Sequence, residues 1–152
     1  MAAYVVRHAK AGDRDEWQGD NRLRPLTMSG RRQAEELTEA LKEEQIDKIL
    51  SSPYVRCMQT VEPLAVKLNL PIEPTNDLEE GAGGESVIRL IKEVKGRNTV
   101  LCTHGDVVEE LVEQLIDWGL VSRARASNEK GGTWVLGEQD GKITRAKYLP
   151  AP

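Results

Sequence analysis

The 152-residue chain contains no phenylalanine, and aromatic residues make up only 4% of it. A core of this composition must be mostly aliphatic. No stretch of about 20 consecutive apolar residues is present, which excludes a helical membrane span, so we expect no membrane partner. The N-terminus lacks the basic segment and apolar run of a signal peptide, and we therefore expect a cytoplasmic protein.

Cysteine and histidine are scarce, with two residues of each. Cys57 and Cys102 are too few and too far apart for a disulfide scaffold or a zinc knuckle, which favours two reduced thiols in the core. His8 and His104 are not at the spacing of metal ligands, and no third soft ligand accompanies them. We therefore expect neither a metal ion nor another cofactor.

The chain has fewer basic than acidic residues: 21 are Lys or Arg and 25 are Asp or Glu, which gives a net charge of −4. Nucleic-acid-binding surfaces need a basic excess to neutralise phosphates, so this balance argues against DNA or RNA as the partner. The chain length is typical of one domain, and we expect residues 1–152 to form a single domain with a substantial core.

Short apolar runs alternate along the chain with segments of helical periodicity. The apolar runs predict strands over residues 3–6, 46–51, 71–75 and 98–103. The amphipathic segments predict helices over residues 27–44, 52–69, 87–94 and 106–118. Asp140-Gly141 between two β-rich runs indicates a hairpin. We therefore predict an α/β fold, a three-layer α/β/α sandwich with a mostly parallel sheet and a C-terminal β-hairpin.

Two segments carry more specific expectations. Ser52 should cap the second helix, with Pro53 in the first turn, and Pro63 should kink or divide that helix. Residues 11–26 have almost no apolar periodicity, and such a long loop in a compact domain is usually functional.

Both histidines directly follow an apolar run. His8 comes after the first strand together with Arg7, and His104-Gly105 follows the strand over 98–103. Because the carboxyl ends of parallel strands meet at one edge of the sheet, we expect the two histidines to share one site.

The loops after the second and third strands add charged residues to the same edge. Arg56 lies one helical turn past Ser52, and Glu79 and Glu80 lie in an acidic, glycine-rich loop. Guanidinium groups match the tetrahedral oxygens of a phosphoryl group. The backbone N–H groups at Gly105 add the positive end of a helix. Together these groups predict an anion site.

The histidines make catalysis possible at such a site. Neutral histidine, with an ordinary pKa of about 6.5, is a competent nucleophile. Arg7, Arg56 and a protonated His104 would neutralise the phosphoryl group under attack. Glu80 or Glu79 would supply the acid for the leaving oxygen. The loop cations Lys10 and Arg24 are further candidates for binding the substrate.

The phosphoryl group can belong to a protein, or to a small molecule such as a nucleotide or another phosphomonoester. An alternative from a different class is a phosphate-binding regulatory module without turnover. An open, shallow cleft would suit a phosphoprotein, whereas a cleft narrowed by residues 11–26 would suit a small molecule.

Four motifs in order resemble the histidine phosphatase superfamily, which has the phosphoglycerate mutase-like fold. They are Arg7-His8 after a strand, Leu26-Thr27-x-x-Gly30-x-x-Gln33-Ala34, Ser51-Ser52-Pro53-x-x-Arg56-x-x-Gln59-Thr60, and His104-Gly105 after a strand. The resemblance implies that His8 is the phosphorylated nucleophile and that Arg7, Arg56 and His104 hold the phosphate. It makes Glu80 the best match for the proton donor, with Glu79 second.

Two details of the resemblance narrow the expectation. Ala9-Lys10 stands where the common pattern has glycine, and with Arg24-Pro25 it resembles the short phosphohistidine phosphatase (SixA-like) branch. The same residues resemble a phosphatase domain that some bacteria fuse behind a Nudix domain. The chain has no room for the long insertions of the mutases, so we expect a phosphatase. The short branch often lacks the acid, and Glu80 here would extend activity to ordinary phosphomonoesters.

Overall fold

The computed structural model describes all 152 residues and contains one six-stranded sheet. Its strands are β1 (Ala2–Arg7), β2 (Lys48–Ser51), β3 (Ile72–Pro74), β4 (Thr99–Thr103), β5 (Thr133–Gln139) and β6 (Lys142–Leu149). They lie in the order β3-β2-β4-β1-β5-β6. The first four strands are parallel to one another, whereas β5 and β6 pair antiparallel. The predicted mostly parallel sheet and C-terminal hairpin are confirmed.

Four helices cover the two faces of the sheet. They are α1 (Met28–Leu41), α2 (Val55–Leu68), α3 (Gly84–Glu93) and α4 (Gly105–Asp117). One core cluster joins α1 and α2 to one face of the sheet, and a second joins α3 and α4 to the other. None of these helices combines the length and apolar character needed to cross a membrane. The three-layer prediction is therefore confirmed.

The central strands are buried on both faces, which explains their near-continuous apolar runs. In β1, Tyr4 and Val6 pack towards α1 and α2, while Ala3 and Val5 pack towards α3 and α4. These four side chains therefore stabilise the packing on both faces of the sheet. This strand is consequently a rigid base for the residues that follow it.

Helix α2 begins later than the sequence predicts. Ser52 continues the pairing of β2, because its N–H donates to the Cys102 carbonyl at 2.9 Å. The helix therefore starts only at Val55, with Tyr54 as the preceding residue and no side-chain cap. The prediction that Ser52 caps this helix is wrong. Its hydroxyl instead lies 2.8 Å from Nε2 of His104.

Helix α2 also runs unbroken through Pro63, so the predicted division there is wrong. Proline removes one backbone hydrogen bond from a helix. Here Val61 and Leu64, on either side of it, are fully buried against the sheet. Their burial offsets the missing bond, since each such side chain contributes about 1.5–3 kcal/mol.

Candidate active site

The two histidines meet at the carboxyl edge of the parallel strands. Arg7 of β1 is in register with Thr103 of β4, so the following residues emerge side by side. The His8 N–H donates to the Thr103 carbonyl at 3.0 Å. The ring centroids of His8 and His104 lie 5.6 Å apart. One site therefore contains both histidines, as the sequence predicts.

A cavity of about 820 Å³ opens beside the histidines. Its walls include six of the predicted site residues, namely Arg7, His8, Arg24, Glu80, His104 and Gly105. Arg56 is fully buried next to it, with Nη2 3.7 Å from Oε1 of Glu80. Lys10 is exposed and Glu79 is half-buried, and neither lines the cavity.

Four buried nitrogens at this site have no hydrogen-bond partner: Arg7 Nε, Arg56 Nε, Arg56 Nη2 and His104 Nδ1. The same arginines are held by one nitrogen each. Arg7 Nη1 donates to the Asn128 carbonyl at 2.7 Å, and Arg56 Nη1 donates to the Asn21 carbonyl at 2.8 Å. Buried donors without acceptors are costly. Arg7 and His104 line the cavity and Arg56 lies beside it, so these donors can be satisfied by an anion with several oxygens.

The hydrogen bonding of His8 fixes its tautomer. Nδ1 lies 2.8 Å from the Ala9 carbonyl, which can only accept, so Nδ1 carries the hydrogen. Nε2 is then left with its lone pair. Burial is the main cause that lowers the pKa of His8 to about 3, and it outweighs the bond to the Ala9 carbonyl, which raises the pKa. The nearby positive charge of Arg56 lowers it further. His8 is therefore neutral at physiological pH.

Glu80 is the acid that the third loop brings into the site. It forms an ion pair with Arg14, a loop residue that also lines the cavity. The next residue, Gly81, donates its N–H to Asp106 Oδ2 at 2.7 Å and so ties this loop to the start of α4. Of the two predicted acids, the structure thus brings only Glu80 into the cavity.

Arg24 is buried and supports the long loop rather than standing free in the cavity. Its Nε donates to Asn21 Oδ1 at 3.0 Å, and its Nη1 donates to the Gly12 carbonyl. These bonds hold residues 12–21 against the site. Arg24 therefore shapes the cavity wall formed by this loop.

The motif residues on α1 and α2 stabilise the loop after β1. Gln33 accepts from the Lys10 N–H at 2.9 Å through Oε1 and donates to the Lys130 carbonyl at 3.1 Å through Nε2. Thr60 Oγ1 accepts from the Ala9 N–H at 3.0 Å. These side chains hold the backbone of the two residues directly after His8.

Asn128 is a site residue that the sequence reasoning missed. Besides its carbonyl, which accepts from Arg7, its Nδ2 donates to the Gly105 carbonyl at 2.9 Å. A Cβ atom on Gly105 would lie 2.7 Å from Cζ of Arg7, so only glycine leaves room for the guanidinium there. Asn128 acts largely through a backbone carbonyl, which gives no signal in a side-chain pattern.

The chain is similar to known proteins in sequence and in fold. The family model of the histidine phosphatase superfamily (branch 1) matches residues 3–87. The chain belongs to the histidine phosphatase superfamily.

Its relatives include proteins with different substrates. The 8-oxo-(d)GTP phosphatase of Mycolicibacterium smegmatis is 40% identical over 153 aligned positions, covering 97% of this chain and 48% of that protein. The chain thus spans about half the length of this curated relative. The protein histidine phosphatase SixA, solved with tungstate, has a TM-score of 0.77 and 22% identity, covering 98% of this chain and 94% of that one. A structure assigned to phosphohistidine phosphatase SixA from Agrobacterium tumefaciens has a TM-score of 0.77 and 26% identity, covering 98% and 97%.

Proposed function

We propose that this chain, as a single catalytic domain, hydrolyses its substrate in two steps through a covalent phosphohistidine at His8. The observation that carries the proposal is the juxtaposition of a neutral His8 with buried, unpartnered donors of Arg7, Arg56 and His104. A nucleophile with a free lone pair thus faces a pocket built for the phosphoryl oxygens. This combination is what in-line phosphoryl transfer requires.

In the first step, Nε2 of His8 attacks phosphorus and the bond from phosphorus to the leaving oxygen breaks. Glu80 gives its proton to that oxygen, and the guanidinium groups of Arg7 and Arg56 stabilise the charge on the phosphoryl oxygens. In the second step, Glu80 takes a proton from water, the water oxygen bonds to phosphorus, and the phosphorus–nitrogen bond breaks. His8 is returned in its neutral form with inorganic phosphate as the product.

The substrate class follows from the cavity and its acid. Phosphohistidine needs no strong acid because imidazole leaves readily, whereas the alkoxide of a phosphomonoester must be protonated. Glu80 in the cavity therefore supports phosphomonoesters in addition to phosphohistidine. A nucleoside phosphate is the second candidate, supported by the 40% identical relative and by a cavity of about 820 Å³, which exceeds the size of a phosphoryl group alone.

A substrate panel tests the proposal. Phosphate release is measured with a phosphohistidine peptide, simple phosphomonoesters and nucleoside phosphates. We expect hydrolysis of at least one phosphomonoester. Tight binding of inorganic phosphate with no hydrolysis of any of these substrates would contradict the proposal and favour the phosphate-binding module.

Glu80→Gln should affect the hydrolysis of phosphomonoesters more than the hydrolysis of phosphohistidine. The amide cannot protonate an alkoxide, so we expect kcat/KM for a phosphomonoester to fall by about 100-fold or more. Activity on a phosphohistidine peptide should change only a few-fold. Glu79→Gln is the matched control, because this neighbouring acid does not line the cavity and should leave both activities unchanged. Equal losses on both substrates in Glu80→Gln would remove Glu80 from the role of acid.

His8 should stay neutral through mild acid. Because its pKa is lowered from 6.5 to about 3, the folded protein binds this proton only near pH 3. The unfolded chain binds it at about pH 6.5, so this group favours unfolding increasingly as pH falls between those values. Nitrogen-15 spectra of labelled histidine should show the Nδ1–H tautomer of His8 from about pH 8 to about pH 5. If His8 instead became an imidazolium with a titration midpoint near pH 6.5, burial would not be lowering its pKa.

A further inference from the structure

The second histidine is held by a hydroxyl group of a residue that does not line the cavity. Ser52 and His104 are both almost completely buried, with 0% and 1% exposure. Ser52 Oγ lies 2.8 Å from His104 Nε2, and the Tyr54 N–H donates to the same oxygen at 3.2 Å. The Tyr54 ring packs edge-on against the imidazole at 4.6 Å between centroids. His104 Nδ1, on the opposite side of the ring, has no partner.

These contacts determine where the hydrogens lie. The Tyr54 N–H can only donate, so the Ser52 oxygen is an acceptor in that bond. His104 Nε2 is the one other partner of the hydroxyl, and it is therefore the acceptor for the hydroxyl hydrogen. With Nε2 accepting, a neutral His104 carries its hydrogen on Nδ1.

A competing arrangement places a thiolate on Cys57 beside a charged His104. Cys57 Sγ lies 3.5 Å from the same Nε2, and bonds from Cys102 and His104 outweigh burial and lower the pKa of Cys57 to about 6. However, an imidazolium Nε2–H would leave the buried Ser52 hydroxyl hydrogen without an acceptor. The thiol can instead direct its hydrogen to the Thr103 carbonyl, 3.6 Å from Sγ. The hydrogen-bond geometry therefore favours the neutral imidazole.

We propose that Ser52 is a positioning residue that fixes His104 as the neutral Nδ1–H tautomer and aims that N–H at the phosphoryl group. This role rests on the proposed function for the identity of the acceptor. It replaces the protonated His104 expected from the sequence with a neutral donor.

The proposal explains how two adjacent histidines perform opposite tasks. Both carry the hydrogen on Nδ1, His8 because of the Ala9 carbonyl and His104 because of the Ser52 hydroxyl. His8 then presents the lone pair of Nε2, and His104 presents the N–H of Nδ1. Only His8 can attack phosphorus, while His104 stabilises the charge that develops.

Nitrogen-15 spectra of the histidine rings test this assignment directly, because the chain has only two histidines. The full chain is labelled, no substrate is added, and a His8→Gln variant assigns the signals. We expect wild-type His104 to be neutral with its hydrogen on Nδ1. Detection of the Nε2–H tautomer of His104, or of its imidazolium at neutral pH, would overturn the proposal whether or not Ser52→Ala folds.

Ser52→Ala then tests the cause. Without the hydroxyl, His104 should lose its single tautomer, and kcat/KM should fall by about 10- to 100-fold, as for other partners that orient a functional histidine. Ser51→Ala is the matched control, since Ser51 is equally buried but donates to the Ser52 carbonyl and does not bond His104. An unchanged His104 tautomer in Ser52→Ala would overturn the proposal. The spectra need no turnover, so they are independent of whether His8 forms a phosphoenzyme.

Discussion

Replacing His8 with alanine is expected to lower turnover by about 10,000-fold or more, because it removes the nucleophile and leaves only binding and electrostatic stabilisation. The covalent phosphoenzyme should disappear at the same time. Both are measured with the substrate that turns over fastest in the panel, using phosphate release and rapid-quench labelling. Phosphate affinity should persist, because Arg7 and Arg56 remain in place.

Lys10→Ala is the control for this variant. It lies two residues from His8, but its side chain is exposed and outside the cavity, so its removal should change kcat/KM only a few-fold. A His8→Ala protein that still turns over substrate at a comparable rate would show that another group attacks phosphorus. A large loss in Lys10→Ala would instead place this lysine on the substrate.

Arg56→Met is expected to lower activity strongly without lowering the stability of the fold. Arg56 is fully buried, and two of its nitrogens have no hydrogen-bond partner. Replacing a poorly compensated buried charge with an apolar side chain of similar length is often neutral or stabilising. We therefore expect an unfolding free energy within about 1 kcal/mol of wild type or above it. Activity should fall by about 100- to 1,000-fold, because donors to the transition state are lost.

Two measurements check this expectation. Thermal unfolding with and without inorganic phosphate should show stabilisation of the wild type and none of Arg56→Met, since bound ligand stabilises only a protein that binds it. Arg22→Met is the control, because Arg22 is exposed, pairs with Asp20 and does not line the cavity. A large loss of stability in Arg56→Met, with phosphate-induced stabilisation intact, would make this arginine structural.

The strands and the hairpin could be predicted from the sequence because each has a local pattern of residues. The apolar runs before His8 and His104 identify two central strands because both faces are buried, and this burial places the two histidines together. Asp140-Gly141 predicts the hairpin because its turn needs positive φ, which both residues adopt.

The errors lie where a partner distant in sequence decides the structure. Ser52 has the local signature of a helix cap, but its hydroxyl bonds His104, which is 52 residues away. Lys10 and Glu79 do not line the cavity, because loop conformation decides where their side chains point, and their roles stay predictions. The contact of Arg7 with the Asn128 carbonyl spans 121 residues and involves no side-chain atom of Asn128. Such long-range contacts leave no trace in local periodicity.

In the proposed reaction the phosphoryl group is transferred to His8 before it reaches water. The most direct measurement is to quench a reacting sample in alkali, which preserves phosphohistidine, and to locate the phosphoryl group by mass spectrometry of the digested protein. We expect phosphorylation of His8 and none of His104, with the modification lost in His8→Ala. Turnover with His8 unmodified throughout the reaction, or a phosphoryl group on His104, would contradict it.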